Sequence, residues 1–287
     1  MDSFLLLLKS IIMGIVEGIT EFLPVSSTGH MIIVDQLIGF SSKSGGPFSF
    51  TKEFADLFEI VIQLGAILAI VVLYRKKIWH SFKTLKPGGF GFKLWTNIIL
   101  AMVPAGIVTI INHKLGDPIK HNMMNPWPVS LALVVGALLM LFSEWRFRKN
   151  DSVAHIERVS YVQSLAIGLF QCIALVWPGF SRSAATIIGG WVMGLTTPTA
   201  AEFSFFLAIP AMFGASGVEL VSNKTPFTPI EIGALVLGFV VAFLVALIVV
   251  KKFIEFLKSK PMRPFAIYRL AVGGLLIVLA LFNILKI

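Results

Sequence analysis

The sequence predicts an all-α polytopic membrane protein, with six transmembrane helices and two re-entrant helical hairpins arranged as an inverted-topology repeat. Three observations predict it. Of 287 residues, 56% are hydrophobic and only 14% charged, and the mean hydropathy is +0.88, far too apolar for a soluble domain. Six uninterrupted apolar stretches, roughly 55–74, 94–112, 128–147, 201–221, 230–250 and 266–285, reach the ~20 residues that a span requires. Two more, about 4–38 and 160–197, are equally apolar but broken in the middle by Pro, Gly and Ser. Neither half of either one reaches a full span, so each reads as helix, polar break, helix. Such a break is tolerated at membrane depth only where protein or a water-filled cavity satisfies its backbone.

The same composition excludes other classes. A net charge of +9 would suggest nucleic acid in a soluble protein. Here the Lys and Arg cluster in short links between spans, which the positive-inside rule explains, and no nucleic-acid partner is expected. The single cysteine, Cys172, lies in an apolar run and excludes an intrachain disulfide framework. The N-terminal apolar run Phe4–Leu8 has no basic n-region and no small-residue cleavage site, so it reads as mature protein.

In chain order, the first hairpin (4–38) precedes three spans, and the link after the first of these carries Arg75, Lys76, Lys77, Lys83, Lys86 and Lys93. The link after the third carries Arg146, Arg148, Lys149 and Arg158. The second hairpin (160–197) again precedes three spans, and the link after the fifth span carries Lys251, Lys252, Lys258, Lys260 and Arg263. The intervening links, about 39–53, 113–127 and 222–229, are poorer in cations. The basic links are therefore expected in the cytoplasm, with both termini outside, the first hairpin entering from outside and the second from the cytoplasm. A constant offset aligns Gly14 with Gly168, Glu17 with Gln171, Ile19 with Ile173, Pro24 with Pro178, Ser27 with Ser181 and Ile33 with Ile187. The 1–287 chain then forms one membrane domain of two halves, about 1–150 and 155–287, each a hairpin and three spans. An odd number of spans per half makes the copies opposite in topology, with the hairpin tips expected to meet near the midplane.

The hairpin breaks carry the chemistry. Between Lys9 and Asp35 the only formal charges are Glu17 and Glu21, and between Arg158 and Glu202 the only one is Arg182. An ionisable residue inside a membrane segment is a functional candidate by default. Glu17 and Glu21 stand at i and i+4 on one helix face, where like charges repel. A divalent cation, a shared proton or a cation such as Arg182 would compensate them; a protonated, structurally hydrogen-bonded pair is the plainer reading. Pro24 ends that helix, and Ser26-Ser27-Thr28-Gly29 offers hydroxyls and N–H groups at the next helix start, a natural anion site; taken singly, each hydroxyl is equally an N-cap. The second break, Pro178-Gly179-Phe180-Ser181-Arg182-Ser183, repeats the design with a guanidinium suited to phosphate, Thr186 lying one turn on. Arg182 as mere partner to Glu21 is the competing role. His30, three residues after Ser27, reads as a proton shuttle, a ligand or a satisfied core histidine. Hydroxyls, an Arg and two acids in a membrane suit an anionic lipid head group and phosphoryl transfer.

Glu17-Gly-Ile-Thr-Glu21-Phe-Leu-Pro-Val-Ser-Ser27-Thr-Gly-His30 and Pro178-Gly-Phe-Ser181-Arg182-Ser183-Ala-Ala-Thr186 together resemble the bacterial undecaprenyl pyrophosphate phosphatase (bacitracin-resistance) family. The likeness extends to Gln63-Leu-Gly-Ala-Ile-Leu-Ala and to Ala201–Pro210. One departure is that Thr196-Thr197-Pro198 stands where the family often has a Ser-Arg-rich turn. The resemblance implies a multi-pass enzyme of the bacterial plasma membrane that removes the terminal phosphate of undecaprenyl pyrophosphate at the extracytoplasmic face, recycling the lipid carrier of peptidoglycan synthesis. It implies Ser27 as nucleophile, with Glu21 as its base or as a metal ligand, and Glu17 with Glu21 near a divalent cation, Mg2+ or Ca2+. Ser26 and Thr28 with Ser181, Arg182, Ser183 and Thr186 would bind the pyrophosphate. His30 would protonate the leaving group, orient Ser27 or itself be the nucleophile. A transporter or flippase of a phosphorylated polyprenyl lipid is the alternative, since inverted repeats with broken helices are a transport architecture. The acid phosphatase superfamily fits poorly, because no histidine follows His155. Gly65, Gly136 and Gly238 would permit close helix packing or a homodimer.

Overall fold

The computed structural model describes residues 2–43, 45–148, 152–222 and 226–282. Lys149 of the second basic link and positions 283–285 of the expected last span lie outside the described residues. Among the described residues the secondary structure is α-helical but for a two-residue strand pair and one 3-10 turn, Ile156–Arg158. The helices are α1 (Asp2–Thr20), α2 (Ser27–Ile38), α3 (Lys52–Leu73), α4 (Arg75–Lys83), α5 (Phe90–Lys114), α6 (Pro118–Met123) and α7 (Pro126–Phe147). They continue with α8 (Tyr161–Val176), α9 (Arg182–Val192), α10 (Thr197–Ser222), α11 (Pro229–Leu257) and α12 (Arg263–Leu281). Strands β1 (Ser41–Ser42) and β2 (Phe50–Thr51) pair in the link before α3.

Among the described residues, seven helices are long and apolar enough to cross a membrane: α1, α3, α5, α7, α10, α11 and α12. Six are the expected spans. The seventh, α1, is a difference: it runs for 19 residues, enough on length alone to cross ~30 Å of hydrocarbon. Its apolar run continues unbroken from Phe4, and no proline stops it before Pro24. Both apolar stretches with polar middles do form helix, break, helix. The departure at Thr196-Thr197-Pro198 is also resolved. The Thr196 hydroxyl accepts the Thr199 N–H at 3.3 Å and pairs with the Thr199 hydroxyl at 2.8 Å, so threonine caps α10.

The chain divides into two compact units, each drawing on both halves of the sequence. The first comprises Met1–Phe22, His30–Leu73 and Ala208–Lys252. Here α1 buries a stripe at helical spacing, Leu6, Lys9, Ser10, Met13, Gly14, Glu17 and Gly18, while Phe4, Leu8, Ile15 and Ile19 stay exposed. A Cβ on Gly14 would stand 2.7 Å from the Gly238 carbonyl oxygen, and one on Gly18 2.7 Å from that of Ala242, so α1 lies directly against α11. Phe40, Phe50, Phe54 and Phe58 form the core, with adjacent ring centroids at 4.5–6.1 Å. Asp35 accepts the Ser41 N–H and hydroxyl, each at 2.7 Å, and the Lys9 ammonium donates to the carbonyls of Gly39 and Phe48. On α11, Val236, Val240, Leu244 and Ile248 are exposed at four-residue intervals, an apolar stripe suited to lipid.

The second unit comprises Leu23–Gly29, Tyr74–Leu207 and Phe253–Ile287. In it α5 packs along α8, α7 along α12, and α9 against both α7 and α8. Gly168 sets the first contact, since a Cβ there would stand 2.2 Å from the Ala101 carbonyl oxygen. Glu144 on α7 accepts the Met262 N–H at the start of α12 at 2.7 Å and holds Arg148 at 3.2 Å. Of the glycines that would permit a dimer, Gly65 abuts the Phe239 carbonyl, Gly238 the Phe58 ring and Gly136 the Arg269 guanidinium. All three pack against groups of the same chain.

Candidate active site

The first unit holds Glu17, Glu21 and His30, all buried. Glu17 sits on the stripe that α1 turns toward α11, between Gly14 and Gly18. The Glu21 N–H donates to the Glu17 carbonyl at 3.0 Å, so the helical bond pattern runs one residue past the end of α1 and the two carboxylates stand a turn apart on one face. His30 lies in the first turn of α2.

The second unit holds the remaining sequence-predicted residues, and with them both hairpin breaks. Each break ends in a serine in the left-handed region, Ser26 at φ 75° and Ser181 at φ 78°. Each serine caps the helix that follows: the Ser26 hydroxyl accepts the Gly29 N–H at 3.2 Å, and that of Ser181 accepts the Ala184 N–H at 3.3 Å. A side chain at positive φ is strained, and a cap is the compensation available to serine. The caps correct the constant sequence offset. Cap for cap, Ser26 corresponds to Ser181, not Ser27, and Ser27 corresponds to Arg182, since these two open α2 and α9. The second break is one residue longer between its proline and its cap: Pro24-Val25-Ser26 against Pro178-Gly179-Phe180-Ser181.

The two breaks are tied to each other. The Ser183 hydroxyl donates to the Leu23 carbonyl at 3.0 Å and lies 3.0 Å from the Ser181 hydroxyl. A hydroxyl has one proton, so with that of Ser183 given to Leu23, Ser181 donates to Ser183. Gly179, at φ 95°, runs so close to α7 that a Cβ would stand 2.8 Å from the Val129 carbonyl oxygen. Trp177 donates its indole N–H to the Pro128 carbonyl at 2.8 Å. Thr186 is fully buried and its hydroxyl lies 2.8 Å from that of Ser204, tying α9 to α10. Arg182 donates to the Ser204 carbonyl at 3.2 Å. The residues expected around the pyrophosphate and its nucleophile thus divide: Ser26 and Ser181 cap, Ser183 and Thr186 tie elements together, and Ser27, Thr28 and Arg182 stand at the helix starts.

One buried arginine joins both breaks. Arg269 on α12 is completely buried. Its guanidinium donates to the carbonyls of Pro24 at 3.2 Å and Gly179 at 3.4 Å, one in each break. It also donates to Ala132 at 3.1 Å and Leu133 at 3.2 Å on α7. The signal was in the sequence, because Arg269 is the only formal charge between Arg263 and Lys286.

Among the described residues, no three His, Cys, Asp or Glu side chains gather into a protein-only metal cage. Two carboxylates a turn apart are hard oxygen donors, the set that holds Mg2+ when substrate phosphates and water complete its shell. Glu17 and Glu21 fit a divalent cation bound in that way.

Comparison with known proteins adds to this geometry. The family model described as "Bacitracin resistance protein BacA" matches residues 10–275. The undecaprenyl-diphosphatase of Clostridium tetani (strain Massachusetts / E88) is 49% identical over 284 residues, covering 99% of this chain and 100% of that protein. That of Clostridium novyi (strain NT) is 51% identical over 289 residues, covering 100% of both chains. Undecaprenyl-diphosphatase 2 of Clostridium acetobutylicum is 45% identical over 311 residues, covering 99% of each.

Proposed function

The chain belongs to the bacitracin resistance protein BacA family, and on that premise we infer that it is an undecaprenyl-diphosphatase. It is a multi-pass membrane hydrolase that takes a polyprenyl pyrophosphate and releases inorganic phosphate and the lipid monophosphate. The observation that carries the chemistry is the pairing of the two breaks, which puts Ser27 and Arg182 at the first positions of α2 and α9 within one unit. Helix N-termini present unsatisfied N–H groups to an anion, and a guanidinium matches phosphate oxygens in a fork.

In the proposed reaction, the backbone N–H groups at the start of α2 and α9, with Arg182 and Thr28, bind the pyrophosphate. Ser27 attacks the terminal phosphorus, the bond to the bridging oxygen breaks, and the lipid monophosphate leaves. Water then cleaves the phosphoserine to release phosphate. Glu21 takes the Ser27 proton and His30 protonates the leaving oxygen; with His30 as nucleophile instead, an N–P bond forms, the same bond to the bridging oxygen breaks, the lipid monophosphate leaves as the anion, and water cleaves the phosphohistidine. Glu17 and Glu21 would hold the divalent cation, Mg2+ or Ca2+, which supplies positive charge to phosphate oxygens as they gain charge. Ser26, Ser181, Ser183 and Thr186 fix the two helix starts and line the pyrophosphate with them.

The inverted-repeat organisation, halves 1–150 and 155–287, is part of the same proposal. Ser10 and Ser164 support it, each bonding the carbonyl four residues back, at 2.9 and 3.0 Å. Gly14 and Gly168 support it as well, each seating a hairpin helix on a carbonyl, of α11 and α5 respectively. Both termini outside rests on the basic links, while the placement in the plasma membrane and the site opening to the extracytoplasmic side rest on the family's likeness.

The test is phosphate release from undecaprenyl pyrophosphate by purified protein in detergent, where no compartment exists. Wild type should release phosphate; Arg182→Ala should lose about 10²–10³-fold in kcat, the range for removing one transition-state contact, and Ser27→Ala, which removes the nucleophile itself, should lose more, on the order of 10⁴–10⁶-fold. Wild type that releases none with any divalent cation sinks the hydrolase reading and leaves lipid transport to be assayed in proteoliposomes.

A further inference from the structure

We propose that Arg269 is a positioning residue for the hydrolysis: its guanidinium, bonded to a carbonyl of each hairpin break, sets the register between Ser27 and Arg182. The inference rests on the phosphatase reading and adds a residue to it. Bare carbonyls at a broken helix have no water to turn to at membrane depth, and each must be satisfied by protein. Pro24 and Gly179 are such carbonyls, and one fork satisfies both while two further N–H groups anchor it to Ala132 and Leu133 on α7. The Phe180 ring lies 5.8 Å from the guanidinium carbon, within range of a cation–π contact. Gly136 leaves the room: a Cβ there would stand 2.2 Å from Nη2 of Arg269.

The geometry distinguishes a spacer from a substrate ligand. Four of the five guanidinium N–H groups that arginine owns are directed at backbone carbonyls, so substrate affinity does not depend on them. What depends on them is the spacing of the two helix starts, two residues beyond Pro24-Val25 on one side and two beyond Gly179-Phe180 on the other. Lysine keeps the charge but has no planar fork and cannot hold both carbonyls in one plane. A displacement of ~1 Å at reacting groups costs about 10²-fold in rate.

The experiment measures kcat and KM for phosphate release by the full-length protein in detergent, for wild type, Arg269→Lys, Gly136→Ala, the double variant and the control Gly274→Ala, whose new Cβ meets nothing within 4 Å. The expected result is a ~10–10²-fold loss of kcat for Arg269→Lys and for Gly136→Ala with KM within about threefold of wild type, and Gly274→Ala unchanged. The double variant should fall no further than the worse single one, because both substitutions break the same clamp. Gly136→Ala keeps the arginine and decides the question if Arg269→Lys does not remain monodisperse. Wild-type kcat in a monodisperse variant overturns the proposal, as does a rise in KM at unchanged kcat, which would make Arg269 a substrate ligand. Failure of wild type itself to release phosphate is a different result and falls on the phosphatase reading alone.

Discussion

Replacing Ser181 by glycine should leave the protein as stable as wild type or more so, while replacing it by alanine should destabilise it. The two substitutions remove the same hydroxyl, so the difference between them isolates the backbone. Ser181 sits at φ 78°, ψ 117° and caps α9 through the Ala184 N–H. Losing a serine cap to alanine costs about 1 kcal/mol, and to glycine only a few tenths. Alanine keeps a Cβ and therefore keeps the strain, which for a non-glycine residue in such a region is about 1–3 kcal/mol. Glycine removes it, offset by about 0.5–1 kcal/mol of extra freedom in the unfolded chain. The net is about 0 to +2 kcal/mol for Ser181→Gly and about −1 kcal/mol for Ser181→Ala. Equilibrium unfolding in mixed detergent, followed by tryptophan fluorescence, reads this difference, since Trp177 and Trp191 flank the turn. An alanine variant as stable as the glycine variant would refute the reasoning and mean that the break relaxes out of positive φ at no cost. Ser26 at φ 75° provides the same comparison in the other break, and the same ordering is expected there.

Three other outcomes follow from the geometry. Gly168→Ala should lower the thermal midpoint by an amount corresponding to about 1–3 kcal/mol of overpacking, because its Cβ would meet the Ala101 backbone at 2.2 Å; a midpoint equal to wild type would show that α5 and α8 part easily. Gln171→Leu should be neutral or stabilising in the same assay, since Oε1 of this buried residue has no hydrogen-bond partner among the described residues and an unmade buried bond costs about 1–3 kcal/mol; a loss of stability would reveal a partner. If Glu17 and Glu21 hold a divalent ion, chelation should abolish phosphate release and re-addition of Mg2+ or Ca2+ restore it, while Glu21→Gln should bind the ion more weakly by isothermal titration; activity indifferent to chelator would remove the metal from the proposal.

Much of this architecture is legible in the sequence, because a membrane imposes its constraints one segment at a time. Hydropathy and length suffice for the six spans, and proline with serine and glycine suffices for the two breaks. The length of α1 is not legible: Pro24 and the serines after it divide the first stretch into halves that each look too short to span, yet the helix runs unbroken from Asp2 to Thr20. The short helix α4 hides in a basic link, since its apolar residues Ile78, Trp79 and Phe82 are too few to register as a span. In the site, residue types and their order were legible and their division of labour was not. Ser27, Ser181, Ser183 and Thr186 look alike in a string of hydroxyls, and only the hydrogen bonds separate a helix start from a cap, a tie to Leu23 and a tie to Ser204. Arg269 was missed for a different reason. It falls inside a stretch that already passed as a span, although an isolated charge at that depth is the same signal that identified Arg182.

The one-residue difference between the breaks bears on why two similar hairpins make an asymmetric site. With equal lengths from proline to cap, Phe180 would stand at the cap and Ser181 at the helix start opposite Ser27, and the two starts would offer phosphate two hydroxyls and no charge. The extra residue in Pro178-Gly179-Phe180-Ser181 shifts the second helix start, so that the residue opening α9 is Arg182 where the one opening α2 is Ser27. The insertion has a cost, because the longer turn must pass against Val129 without a side chain. That is the physical reason for glycine at 179, where φ is 95° and the α7 backbone leaves no room for a Cβ. Gly179→Ala should therefore do more than strain one turn. By pushing the second break off α7 it should carry Arg182 away from Ser27, and activity should fall further than thermal stability does. Equal losses in both would mean that the turn is only structural, and that the pairing of Ser27 with Arg182 does not depend on it.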